Sequence, residues 1–293
     1  MTPLVLNGVV NGIIVGGLYA LLGLSLSLLY GVLRVVNFAH GEVVIGGSFL
    51  AYVLFGALGL PPLFSLPLAA VSFFAVGWCA YYLLIPRLSR SDDPETMSFL
   101  LMYGLSIALA ATLLLLFGAD SRSIDYSFTP ISLAIGPVNV STARVVALAV
   151  TMVVTAAMGW FLFRTLPGKA LRAATMNREA IQIIGVDITR LSALAFALAF
   201  AIAGMTGVLI ALVFPAFSPF SGGEYSIIGF IVIVLGGLGN PVGALIAGVF
   251  YGVAEQMATV FLPQALAQIV GFALLVATIL VRPTGLFGFR VLR

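Results

Sequence analysis

The chain has 293 residues, 62% hydrophobic and 8% charged, with a formal net charge of +3 and a mean hydropathy of +1.21. Soluble domains carry about a quarter charged residues, so this chain cannot cover a water-facing surface, and the bilayer is its solvent. The small charge excess, gathered in a few loops, reads as membrane topology and excludes a nucleic-acid patch.

The first stretch, residues 1–33, has no Lys or Arg before Arg34. A cleaved signal needs a basic head and a short apolar core, so a retained first helix is expected. Further apolar runs of spanning length, about 20 residues, occupy 43–86, 96–119, 145–163, 191–223 and 225–281, the last interrupted only by Glu255. "GLPP" at 59–62 divides 43–86 into a helical hairpin, since paired prolines cannot continue a helix. The single Cys79 lies in an apolar run, where a buried, inert thiol is expected. The fold class expected is all-α: one polytopic transmembrane bundle over 1–293, with about 8–9 spans (a number carried by the span length) and broken or re-entrant helices.

Basic residues sort the loops. Arg87 and Arg90 follow one span, Arg164, Lys169, Arg172, Arg178 and Arg190 fill the loop after Trp160, and Arg282, Arg290 and Arg293 end the chain. The positive-inside rule places all three segments in the cytoplasm. The N-terminus is then outside, Arg34 inside, loop 119–142 outside and the C-terminus cytoplasmic. An inside C-terminus requires three crossings between 222 and 281, the first short, with breaks at 236–243 and near Pro263.

"RVVNFAHGEVVIGG" (34–47) gathers an arginine, the only histidine and a glutamate. An ionised residue at mid-bilayer costs roughly 2.5–3.5 kcal/mol on insertion scales, so these groups must sit at an interface, face water or pair. Two readings are open. In one, the segment dips into the bundle, breaks near Gly41, and Asn37, His40 and Glu42 hold a polar gate. In the other it is the cytoplasmic end of the first helix, with Arg34 at the headgroups and Asn37 capping the next helix. A second break, "GGLGNPVGALIAGVFYGV", carries Gly236, Gly237, Gly239 and Asn240 and looks like the first. Broken helices at matching places in two halves point to a transport path, although Gly-rich membrane helices also resemble one another by chance.

The loop over 165–190 frames a short helix from Arg178 to Ile184. Asn177 is the N-cap, Glu179 stands in the first turn, and Gly185 is the C′ residue. Ala180, Ile181 and Ile184 share one face. Such a helix either lies on the membrane surface or docks in a groove of another protein. Glu224, in "FSPFSGGEYS", is read at the outer end of a helix, as a contact for a delivering protein or only an interface residue. Glu255, beside Gln256, is the one acid–amide pair inside a span and the candidate for ion coupling by a self-sufficient transporter or channel.

There is no G-x-x-x-x-G-K-[ST], G-x-S-x-G, H-E-x-x-H or Cys/His cluster. A P-loop, the common hydrolase sites and a His-based metal site are therefore not expected, nor is any cofactor or enzymatic activity. If the protein pumps, its energy comes from another chain.

"GLSLSLLYGVLRVVNFAHGEVVIGGSFLAY", "GKALRAATMNREAIQIIGVDITR" and "IVIVLGGLGNPVGALIAGVFYG" resemble, in order, three motifs of the inner-membrane permeases of branched-chain amino acid ATP-binding-cassette importers. Sister permeases of that family carry urea, short amides or other small solutes. The resemblance implies two ATPase subunits, a second and usually paralogous permease rather than a homodimer, and a periplasmic binding protein. It makes Arg178 to Gly185 the ATPase-docking helix and "NFAHGE" a broken-helix element beside the path. "TMN" (175–177) departs from the family's usual polar residues.

Overall fold

A computed structural model of the chain describes residues 2–88, 93–126, 132–135 and 138–288; Arg90, Arg290 and Arg293 of the basic loops lie outside the described residues. Eleven helices are described. The longer ones are α1 (Thr2–Leu33), α2 (His40–Leu58), α3 (Ser65–Leu88), α4 (Pro94–Phe117), α5 (Thr142–Arg164), α8 (Ile188–Val213), α9 (Gly222–Gly236), α10 (Pro241–Phe261) and α11 (Gln264–Val281). Two short helices, α6 (Leu166–Met176) and α7 (Arg178–Ile183), fill the basic loop. Eight helices are long and apolar enough to cross a membrane, and the apolar part of α11, Leu266–Val281, is shorter. This is the polytopic helical architecture expected from composition.

The starts and stops follow local chemistry. Asp93 accepts from Thr96 N–H at the head of α4 (3.2 Å), ahead of Pro94 at the first helical position. Asp187 accepts from Thr189 and Arg190 N–H at the head of α8 (2.9 and 3.1 Å). Asn240 accepts from Gly243 N–H at the head of α10 (3.1 Å), ahead of Pro241. The loop at 59–62 does separate α2 from α3. One short hairpin, Ser132–Ile135 paired antiparallel with Val138–Ser141, is the only strand pair among the described residues. The hydropathy pattern did not announce it.

α1 and α8 form the centre. α1 lies antiparallel to α10: Gly8 meets Val260 and Met257 at one end, and Gly31 meets Gly239 at the other. Between them Gly12, Gly16, Gly248 and Gly252 let the two backbones touch; a Cβ on Gly16 would stand 2.8 Å from backbone atoms of Val249. Lipid is as apolar as leucine, so close packing of small residues, not hydrophobicity, joins such helices. α8 meets α2 in the same way. A Cβ on Gly207 would stand 1.8 Å from the Val44 carbonyl oxygen, and Ser48 Oγ donates to the Gly207 carbonyl (2.7 Å).

Three expectations are corrected. Cys79 is exposed on α3, because an outward position of a membrane helix is as apolar as an inward one. The break after α1 lies at 34–39, and His40–Glu42 are already helical. The two look-alike Gly segments also occupy different levels: α2 starts inside the bundle, whereas α10 starts beside Gly31, near the end of α1.

Candidate translocation junction and coupling loop

α1 ends at Leu33, and Arg34 after it is the one described non-glycine residue with positive φ (58°). That conformation turns the chain back along α1. Val35 to Ala39 run without helix, and Asn37 and His40 are fully buried. His40 Nε2 lies 2.7 Å from Ser25 Oγ, about two turns before α1 ends. Ser25 Oγ also donates to the Leu22 carbonyl (2.8 Å). With its only proton placed there, Ser25 accepts from His40 Nε2–H, and Nδ1 becomes the acceptor. No donor meets that Nδ1 among the described residues.

Glu42 stands two residues on. Its Oε1 accepts from Ser106 Oγ (3.0 Å), and Ser106 lies halfway along α4. α2 therefore begins at about mid-depth of the bundle. α9 begins at the same level: a Cβ on Gly222 would stand 2.7 Å from the Glu42 carboxyl carbon, and one on Gly41 would stand 1.8 Å from the Gly222 carbonyl oxygen. Gly41 is thus required by close approach of two backbones, not by a break. Ser226 Oγ pins the contact, accepting from Gly41 N–H (2.9 Å) and donating to the Phe38 carbonyl (2.7 Å). Asn37 Oδ1 accepts from Ala39 N–H (3.0 Å), so it closes a local turn while Ala39 holds the cap position of α2.

The result is a polar knot inside an apolar bundle, where two helix N-termini meet and three side chains keep unused capacity. Asn37 Nδ2, His40 Nδ1 and Glu42 Oε2 are buried without a hydrogen-bond partner among the described residues. Buried orphan groups cost about 1–3 kcal/mol each. Native structures satisfy nearly all buried polar groups, so three orphans in one place mark the junction as a candidate site. The dipping reading of "NFAHGE" fits this geometry; an interfacial Asn37 and His40 would be wet.

The late glycines do something different. Gly237 (φ 96°) and Gly239 (φ 75°) make the turn from α9 to α10, and a Cβ on Gly237 would stand 2.7 Å from Gly288. Leu286 N–H donates to the Leu235 carbonyl and Asn240 Nδ2 to the Phe287 carbonyl (both 2.8 Å). Gly236 packs on Ala244. The fifteen residues of α9, about 22 Å, separate this turn from Glu42. The structure does not bring the two Gly motifs together; α9 connects them.

The basic loop over 165–190 follows the sequence closely. Asn177 Oδ1 accepts from Glu179 and Ala180 N–H (3.1 and 3.0 Å), and Gly185 adopts φ 85°, the left-handed C′ conformation glycine favours. The face differs from the sequence reading. Ile181 is buried against the bundle, while Ile183 and Ile184 are 85% and 73% exposed, with Met176 at 85%. The missed α6 precedes it, capped by Thr165, whose Oγ1 accepts from Gly168 N–H (3.2 Å). Arg34 reaches this loop: its guanidinium donates to the Thr175 carbonyl (3.4 Å). The turn that sends the chain back into the bundle is therefore tied to the loop.

Glu224 stands in the first turn of α9, two residues after Gly222. Its Oε1 accepts from Gln268 Nε2 on α11 (2.7 Å). Glu255 is buried on α10, and Tyr19 and Tyr251 interact with it. Glu224 and Glu255 border one cavity. The involvement of Tyr19, Tyr251 and Gln268 carried no signal in the sequence beyond their polar tips in apolar runs. No group of three or more His, Cys, Asp or Glu suited to a metal occurs among the described residues.

The fold and its polar junction define a polytopic helical membrane protein. The chain belongs to the family described as the branched-chain amino acid transport system permease component, whose model matches residues 8–279. It is 29% identical to the high-affinity branched-chain amino acid transport system permease protein BraD of Pseudomonas aeruginosa, over 97% of this chain and 95% of that protein. It is 28% identical to the LivH permease protein of Escherichia coli K12, over 95% and 94%. A probable LivH permease of Methanocaldococcus jannaschii is 29% identical over 95% and 91%. No solved structure matches.

Proposed function

We propose that this chain is the membrane-spanning permease subunit of an ATP-driven importer for branched-chain amino acids, working with two ATPase subunits, a second paralogous permease and a periplasmic binding protein. The observation that carries the reading is the coupling loop. Met176, Ile183 and Ile184 are exposed on short capped helices whose other side is anchored by Ile181, and the relatives are named as permease components. Such a firm apolar knob at the end of a bundle fits a groove on a partner. The link from Thr175 through Arg34 to the Val35–Ala39 segment gives docking a mechanical route to the junction.

In this reading the loop end is cytoplasmic. Arg34, Arg172 and Arg178 sit at that end, as the positive-inside rule asks, which leaves the N-terminus outside and the C-terminus inside. The bound ATPases pull on α6 and α7, the turn at Arg34 moves, and the α2–α9 contact opens or closes around Asn37, His40 and Glu42. The glycine turn at Gly236, Gly237, Gly239 and Asn240 carries the same motion along α9. Solute passes at the junction, where alternative hydrogen bonds for the orphan groups stabilise the second state.

The test is affinity purification of the tagged protein in mild detergent, with mass spectrometry of what co-purifies, on wild type and on Ile183→Glu combined with Ile184→Glu. ATPases and a second permease should accompany wild type, and the ATPases should fall away from the variant while its thermal unfolding is unchanged. A wild-type chain that purifies only with itself, and takes up solute without ATP, overturns the reading.

A further inference from the structure

We propose that the cavity between α9, α10 and α11 is the subsite that receives the ammonium group of the amino acid on its way through the bundle. This rests on the amino-acid importer reading and adds a place and a chemistry to it.

The cavity has a volume of about 270 Å3, just below the roughly 300–1,000 Å3 of sites for drug-sized ligands, which suits one small solute. Its polar side holds two carboxylates, Glu224 and Glu255, with Tyr251 and Gln268. Its other side is apolar, with Ile231 and Phe272. Glu224 has a neutral partner, the Gln268 amide. Glu255 is 8% exposed and its Oε2 meets no donor among the described residues. Neither carboxylate has a salt-bridge partner among the described residues.

Two carboxylates on one small cavity, one with an idle oxygen, repel anions and receive a cation. The cation that fits is organic. A hydrated metal ion wants oxygen ligands all round, and Ile231 and Phe272 offer none. A primary ammonium on an aliphatic body uses both sides at once: three N–H donors toward Glu255 and Glu224, and a branched chain against the isoleucine and phenylalanine. The position suits an early stop on the path. Glu224 is two residues from Gly222, which packs on Glu42, so a solute leaving the cavity meets the α2–α9 junction next.

The experiment uses the purified complex of this chain with its co-purifying subunits, without the binding protein, and measures bound radiolabelled leucine by equilibrium dialysis. Two competitors split the molecule: 3-methylbutylamine keeps the ammonium, and 4-methylpentanoate keeps the carboxylate. In wild type the amine should displace leucine and the acid should not. Glu255→Gln should weaken leucine binding about tenfold or more, as loss of a charged partner does, and should abolish competition by the amine. Glu255→Asp should lose less. Phe272→Trp, which fills the apolar side without touching the carboxylates, should also weaken binding, and serves if Glu255→Gln fails to fold. An intact complex in which wild type binds no leucine, or Glu255→Gln binds it as wild type does, or the acid competes and the amine does not, overturns the subsite and leaves the importer reading standing. A wild-type chain that brings down no ATPase overturns the importer reading instead.

Discussion

α1 and α4 are equally oily and have opposite fates. Their best apolar windows have mean hydropathies of 2.1 and 2.3, yet 94% of the first is buried inside the protein and 6% of the second. Hydropathy therefore does not decide which membrane helix becomes core. Small residues do. Gly8, Gly12, Gly16, Gly23 and Gly31 of α1 each lie against another element, whereas Gly104 of α4 has nothing within 4 Å of where a Cβ would stand. In lipid the van der Waals attraction between closely packed backbones must hold helices together, because no water is expelled between them.

The sharpest break of this comparison is a pair of substitutions. Gly16→Leu puts a side chain into the backbone of Val249 and should remove the monodisperse folded peak on detergent gel filtration. Overpacking costs about 1–3 kcal/mol or more, and a backbone contact cannot yield. Gly104→Leu should leave the peak and its melting temperature within the range of a surface change, about 0.5 kcal/mol. Equal damage from both would mean that α4 is buried in the assembly, and would place the second permease against it.

Next in size is the junction. Ser226→Ala leaves the Gly41 N–H and the Phe38 carbonyl without the partner that joins α9 to α2. Thermal unfolding should show a loss of about 1–3 kcal/mol. His40→Ala should cost a similar amount through Ser25. Glu42→Gln keeps an acceptor for Ser106, so stability should change little while ATP-driven uptake falls several-fold; uptake at the wild-type rate would reduce Glu42 to a packing residue. The smallest effect belongs to the outer face. Leu115, 86% exposed, should accept Ala with no measurable change in melting or uptake, within about 0.5 kcal/mol.

Legibility differed in the same way between regions. The short helix α7 was readable because its signals are local: Asn177 caps its own helix and Gly185 ends it, whatever surrounds them. Its outward face was not, since Ile181 and Ile183 differ only in which one meets the bundle. "NFAHGE" advertised itself through rare ionisable residues, but the sequence left dipping and interfacial readings open. Ser25, Ser106 and Ser226, which hold that segment, come from α1, α4 and α9, and a serine in an apolar run carries no signal of its partner. Gly41 read as a break because glycine in a helix weakens it; here the helix tolerates it so that the Gly222 carbonyl can come near.

Amino-acid order alone determined that this chain lives in a bilayer, that the loop at 59–62 divides one long apolar run into two helices, and which loop carries the short capped helix. Each of these follows from hydropathy over about 20 residues or from hydrogen bonds closed within a turn. Tertiary structure alone decided which of the equally apolar helices is core, that α2 and α9 both begin at mid-depth, and that Glu224 and Glu255 share a cavity. Those facts are distances between residues far apart in the chain, set by how closely small side chains let backbones approach.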